Sequence, residues 1–230
     1  MTCGTGGGHN TAARALQEEM LERGHSVQVI NPYDLKNRKL SWCIDHGYMW
    51  MARRAPWLFG LIYKLGEFFW YLPFRSPVHH LNRLMVPVMQ RYLAEHPCDV
   101  ALMTHFFPSA ILTAAQQKQK NIPPNILIAT DYTCIPLTEE YEADAYITPA
   151  VALTNEFLRR GKPAHQIKPL GIPVCKDFLS SISAKEARSR LGLQEGTRYL
   201  LIAGGSIGAG KSKPSSVFWT NAIMTIRVSA

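Results

Sequence analysis

The sequence predicts an α/β fold built on a largely parallel sheet, and three observations carry that prediction. Strand-like and helix-like patterns alternate from Cys98 to Gly171, the order that places covering helices between parallel strands. A fresh helix, strand and glycine-rich turn begin after a turn-rich segment at 171–182, as at the opening of a second α/β unit. The 230 residues are 47% hydrophobic and 18% charged, enough apolar material for a packed core.

Taken in order, TAARALQEEMLERG (11–24) spaces Ala13, Leu16, Met20 and Leu21 as one helical face and stops at Gly24. SVQVI (26–30) reads as a buried strand, ended by the turn former NPYD. VHHLNRLMVPVMQRYLAEHP reads as a helix with Leu81, Leu84, Met85, Val88 and Tyr92 on one stripe and a kink at Pro87. CDVALMT, NILIAT, DAYIT and QIKPLG are then strands, with PSAILTAAQQKQK and VALTNEFLRRG as the helices between them. GIPVCKDF (171–178) has the turn chemistry of a linker. Ser183 and Glu186 form the S-x-x-E pattern that starts a helix, AKEARSRL, closed by Gly192. RYLLIA leads as a strand into GGSIGAGKS (204–212).

The net charge of +8 and pI of about 9.3 suit an anionic partner, whether a membrane surface, a phosphorylated ligand or nucleic acid. Basic residues are too sparse for a nucleic-acid surface. The five cysteines contain no C-x-x-C pair, which points away from a metal or disulfide framework and toward a reducing cytosolic setting. No signal-peptide core precedes Thr11, and the longest apolar run, APWLFGLIY, is half the ~18 residues of a spanning helix.

Four stretches can carry chemistry. In TGGGHNTAA (5–13), Gly6, Gly7 and Gly8 let backbone N–H groups at a helix entrance approach a ligand, and His9 faces the crevice at the strand ends. A tight turn with a capping histidine accounts equally well for that pattern. His105 ends the strand CDVALMT and Asp131 ends NILIA. Both face that same crevice as potential base and orienting carboxylate, or serve as local caps. Residues 42–75 hold four of the five tryptophans interleaved with basic residues. Trp50, Arg53, Arg54, Trp57, Phe59, Tyr63, Lys64 and Trp70 suit contact with an anionic membrane surface, a core helix pair being the plainer alternative. Gly205 to Ser212 match G-x-x-x-x-G-K-S, the phosphate loop of nucleotide triphosphatases. However, Pro214 follows at once, and no second acidic strand for magnesium comes after it.

In order along the chain, TGGGHNTAA, the aromatic segment, TDYTCIP, ITPAVALTNEFLRRG…IKPLGIPV and LLIAGGSIGAG resemble the diacylglycerol glycosyltransferases of glycosyltransferase family 28. These are the processive diacylglycerol glucosyltransferases and monogalactosyldiacylglycerol synthases. The resemblance covers nearly all of residues 4–210. It implies a GT-B fold of two Rossmann-like domains: an acceptor domain over residues 1–170 with its first strand missing, a linker over 171–182, and the start of a donor domain over 183–230. It implies transfer of a hexose from a UDP-sugar to diacylglycerol at the inner face of the cell membrane, without metal or cofactor. By the same resemblance His9 and Asp131 are the catalytic candidates. Gly6, Gly7, Gly8 and His105 would bind substrate, and Gly204, Gly205, Gly208 and Gly210 would lie beside the diphosphate of the donor. The tail from about Lys211 departs from the family pattern, so a truncated chain with little activity alone is expected. A non-catalytic lipid-surface module is the alternative from another class.

Overall fold

The computed structural model describes residues 1–118, 121–194, 196, 197 and 199. RYLLIA apart from Tyr199, the glycine loop with Gly204, Gly205, Gly208 and Gly210, and the tail lie outside the described residues.

The expected parallel α/β sheet is present. Helix α1 (Gly7–Glu22) is followed by α2 (Pro32–Lys36), α3 (Arg38–Arg54), α4 (Pro56–Phe69), α5 (Pro77–Arg83) and α6 (Val86–Glu95). The alternating region then gives β1 (Ala101–Met103), α7 (Phe106–Gln116), β2 (Asn125–Ile128), β3 (Ala145–Ile147), α8 (Thr154–Arg159) and β4 (Ile167–Lys168), with α9 (Ala184–Arg190) last. The four strands lie in the order β1-β2-β3-β4, all parallel, with Leu102 opposite Ile126, Leu127 opposite Tyr146 and Ile147 opposite Lys168.

The core lies where the apolar periodicities converge. Met85, Met89 and Leu93 from the α6 side meet Ile111 and Leu112 of α7, and the strands add Met103, Leu127, Tyr146 and Ile167. α7 is buried along eight consecutive residues, Pro108–Ala115, because it is wedged between the sheet and helices α5 and α6.

Three local expectations change. SVQVI is not a strand. It is an extended, mostly exposed segment, tied in by a single backbone bond from Thr2 N–H to the Ile30 carbonyl. Met1 and Thr2 run between it and β1, with Met1 N donating to Leu102 O and Thr104 N–H donating to Met1 O. The long helix around Pro87 is two helices, since Pro87 sits in the first turn of α6, where its missing N–H costs nothing. Its buried stripe is Met85, Val86, Met89 and Leu93, whereas Leu81 and Leu84 are exposed.

The helix ends follow the sequence closely. Gly24 (φ 83°) and Gly192 (φ 65°) adopt the left-handed conformation that closes α1 and α9. Ser183 Oγ accepts from Glu186 N–H at 3.1 Å, although the Glu186 carboxylate pairs with Arg190 and leaves the Ser183 N–H. The segment 171–178 lies along α1, where Lys176 pairs with Glu19 at 3.2 Å and with Glu22.

Candidate functional site

Parallel strands leave their carboxyl ends open on one side of the sheet, and the residues following them line the resulting crevice. Here the chain turns after β1 through Thr104 and His105, and after β2 through Thr130 and Asp131. The first turn of α1 covers both ends. His9, Thr104, His105, Thr130, Asp131 and Tyr141 line a narrow pocket of about 20 Å³, room for about one water or one hydroxyl group.

His9 is the third residue of α1, following Gly6 at the N-cap and Gly7 and Gly8 in the helix. None of these glycines has a left-handed φ, and a Cβ on Gly8 would meet open space. Their effect is to leave the backbone of that turn uncovered. The His9 ring is held through Nδ1, which lies 2.8 Å from the Thr104 carbonyl and 2.6 Å from Thr130 Oγ1. A carbonyl only accepts, so Nδ1 carries the proton in neutral His9 and Nε2 keeps its lone pair. Nε2 has no hydrogen-bond partner among the described residues, and the ring is half-buried.

His105 is a different kind of histidine. It is the N-cap of α7, its Nδ1 accepting from Phe107 N–H at 3.1 Å, so the neutral ring carries its proton on Nε2. It is buried, and that burial, with His9 alongside, holds its pKa well below the usual histidine value. Its ring stands edge-on to His9 with centroids 4.6 Å apart. His105 is therefore a neutral wall of the pocket and a cap at once.

Asp131 lies at the mouth and is exposed, with no hydrogen bond or ion pair among the described residues. Among the described residues it makes no hydrogen bond or ion pair with either histidine; Thr104 and Thr130 hold the His9 ring. Its charge is felt by the aromatic helices instead. Burial first, and Asp131 next, push the phenols of Tyr48 and Tyr63 upward, Tyr63 to about 12.

Those helices border the site with little burial of their own. α3 buries only Ser41 and α4 only Gly66. Trp50 is 60% exposed and Trp57 is 72%, while Arg54 and Lys64 also face outward. Among the described residues, α3 and α4 are not buried as a core pair. Two of the aromatics have internal roles: Phe59 packs between Tyr48 and Tyr63, and Trp70 lies 4.2 Å beneath the Arg160 guanidinium. α4 is fastened to the β2–β3 connection by two devices. Gly66 lets the helix approach Pro136 so closely that a Cβ there would lie 2.8 Å from the proline Cβ. Arg160 grips Glu67 of α4 through both carboxylate oxygens at 2.5 Å and Glu139 at 3.1 Å.

Thr104 and Thr130 escape sequence reasoning. Thr130 is the letter before Asp131 in TDYT, but nothing in the string places its hydroxyl on a histidine 121 residues away. Among the described residues no helix is long and apolar enough to cross a membrane, and no three His, Cys, Asp or Glu are grouped as a metal site.

Comparison with known proteins agrees with this arrangement. The family profile described as monogalactosyldiacylglycerol (MGDG) synthase matches residues 9–174, which include His9, His105, Asp131 and both aromatic helices. A probable chloroplastic monogalactosyldiacylglycerol synthase of Glycine max is 23% identical over 219 residues, covering 90% of this chain and 40% of that protein. A probable chloroplastic monogalactosyldiacylglycerol synthase 2 of Oryza sativa subsp. indica is 24% identical over 223 residues, covering 90% of this chain and 45% of that protein. The chain thus spans less than half the length of the curated relatives it matches. A four-stranded parallel sheet, a glycine-histidine turn over its carboxyl ends and a family match across 9–174 lead to one conclusion: this chain belongs to the monogalactosyldiacylglycerol synthase family.

Proposed function

We propose that this chain is the acceptor-binding part of a hexosyltransferase that moves a sugar from a UDP-sugar to diacylglycerol at a membrane surface. The observation that carries the reading is His9. Its Nδ1 proton is held by Thr104, and its Nε2 lone pair is left for a hydroxyl-sized group in a pocket whose mouth, at Asp131, lies near Tyr48 and Tyr63 of the aromatic helices. In the reaction, His9 Nε2 takes the proton of the lipid hydroxyl as its oxygen bonds to the anomeric carbon. The bond from that carbon to the diphosphate breaks, and UDP leaves with the electron pair. Neutral His105 adds no positive charge beside His9. Asp131 at the mouth serves the acceptor or the departing proton.

The exposed face of α3 and α4 docks on the bilayer, with Trp50 and Trp57 in the interface and Arg53, Arg54 and Lys64 toward anionic headgroups. No metal takes part in this scheme. Residues 1–170 are the acceptor domain, 171–182 the linker and 183–230 the beginning of the donor domain, with Gly204, Gly205, Gly208 and Gly210 beside the diphosphate. The enzyme is attached peripherally to the inner face of the cell membrane, and the 230-residue chain, which spans less than half the length of the relatives it matches, is expected not to turn over by itself.

Co-sedimentation of the 230-residue chain with anionic vesicles containing diacylglycerol tests the acceptor half, alongside an assay for hexose transfer from UDP-glucose and UDP-galactose. The expected result is vesicle binding that falls at least tenfold in Trp50→Ser/Trp57→Ser, without turnover. Failure to bind vesicles sinks the acceptor reading, and measurable turnover sinks the claim of inactivity.

A further inference from the structure

A second pocket opens at the opposite, amino-terminal ends of the strands, far larger than the first at about 510 Å³. That is within the range of small-molecule sites. Its floor is polar and buried. Asn125, the first residue of β2, is 0% exposed, and its Oδ1 and Nδ2 both lack a hydrogen-bond partner. Its backbone is fully engaged, with its N–H donating to Asp144 Oδ2 at 2.7 Å and its carbonyl accepting from Asp144 N–H at 2.9 Å, so only the amide is left over. Lys162, 5% exposed, donates to the Tyr141 carbonyl and lies 5.3 Å from the Tyr141 and Tyr146 ring centroids. Two of its three protons remain. Glu139 Oε1 is also buried without a partner. The rim carries Gln116, Gln166, Glu142 and Asp144.

The charges select the ligand. Glu139, Glu142 and Asp144 oppose an anion such as phosphate, and Lys162 with Arg160 opposes a metal cation. A buried amide with both ends unpaired needs a group that donates and accepts together, and a hydroxyl does both. Neighbouring hydroxyls on one molecule also let the Lys162 ammonium donate while the rim carboxylates accept.

We infer that this amino-end pocket binds an uncharged polyhydroxyl ligand of monosaccharide size, hydrogen-bonded to the Asn125 amide and the Lys162 ammonium and steadied by Gln166 and Asp144. The site is separate from the His9 crevice and does not depend on the transferase reading.

The test is an amide ¹H–¹⁵N titration of the full chain with glucose, galactose and glycerol, with inorganic phosphate and Ca²⁺ as comparison probes. The expected result is saturable shifts at Asn125, Tyr146, Lys162 and Gln166 on adding one of the sugars. Gln166→Ala, at the half-buried rim, weakens that affinity about fivefold, and Asn125→Leu, which fills the same space without the amide, weakens it at least tenfold. Should Asn125→Leu not fold, Gln166→Ala alone decides. The inference is overturned by the absence of saturation up to about 100 mM sugar. It is equally overturned by shifts confined to the His9 crevice, by unchanged affinity in Gln166→Ala, or by saturation with phosphate or Ca²⁺ in place of sugar.

Discussion

Arg160→Met tests how the aromatic helices are held to the sheet. Methionine keeps much of the stem packing and removes the guanidinium, which joins three partners. Glu67 is 48% exposed in its side chain, so that arm contributes about 0.2–1 kcal/mol. Glu139 is 23% exposed and has one oxygen already buried without a partner, so leaving it unpaired costs about 1.5–3 kcal/mol. The cation–π contact with partly exposed Trp70 adds about 0.5–1 kcal/mol. The sum is about 2–5 kcal/mol, centred near 3.5, a large fraction of the stability of an ordinary domain. Urea denaturation followed by far-UV circular dichroism measures it, with exposed Arg159→Met, expected within about 0.5 kcal/mol of the parent, as the control. Double-mutant cycles then separate the arms. Arg160 with Glu139→Gln should couple by about 2 kcal/mol, and Arg160 with Glu67→Gln by under about 1 kcal/mol. A loss below about 0.5 kcal/mol in Arg160→Met, or stronger coupling to Glu67 than to Glu139, would refute the reasoning.

Gly66→Ala should destabilise by about 1–2 kcal/mol because its Cβ meets Pro136, whereas Gly60→Ala on the same helix, with nothing within 4 Å, should stabilise by about 0.5–1 kcal/mol. Equal effects from the two in thermal melts would remove the close-approach argument. Burial lowers Lys162 from 10.5 to about 8. Below that value folded and unfolded states both carry the charge, and the folded state bears the burial penalty. As pH rises through 8 the folded ammonium deprotonates first, so stability relative to Lys162→Met should rise by up to about 3 kcal/mol between pH 8 and 10.5. A flat difference between the two proteins across that window contradicts it. Long-range ¹⁵N NMR of the imidazoles should find neutral His9 protonated at Nδ1 and His105 at Nε2, with His105 still neutral well below the usual histidine pKa. The same tautomer at both rings would undo the site geometry.

The string by itself determined the parallel α/β pattern from Cys98 to Gly171, because runs of strand period and of helix period alternate there in the order that parallel strands require. It also placed Gly24, Gly192 and Ser183 at helix ends, where the chemistry of a single residue decides. It located His9, His105 and Asp131 at the crevice, since each stands next to the end of a strand or the start of a helix. Only the tertiary structure decided what each of them touches. Thr104 and Thr130, not Asp131, orient His9, because those contacts join segments about a hundred residues apart and leave no periodic trace. SVQVI has the letters of a buried strand, yet its place beyond Met1 and Thr2 leaves it largely solvated. The aromatic helices read from composition as a membrane-facing surface, with a core helix pair as the alternative. Their exposure was settled by what packs against them: Arg160 and Pro136 on one side and nothing over Trp50 and Trp57 on the other, among the described residues. Burial is a property of the partner as much as of the residue, and the partner is chosen by the fold.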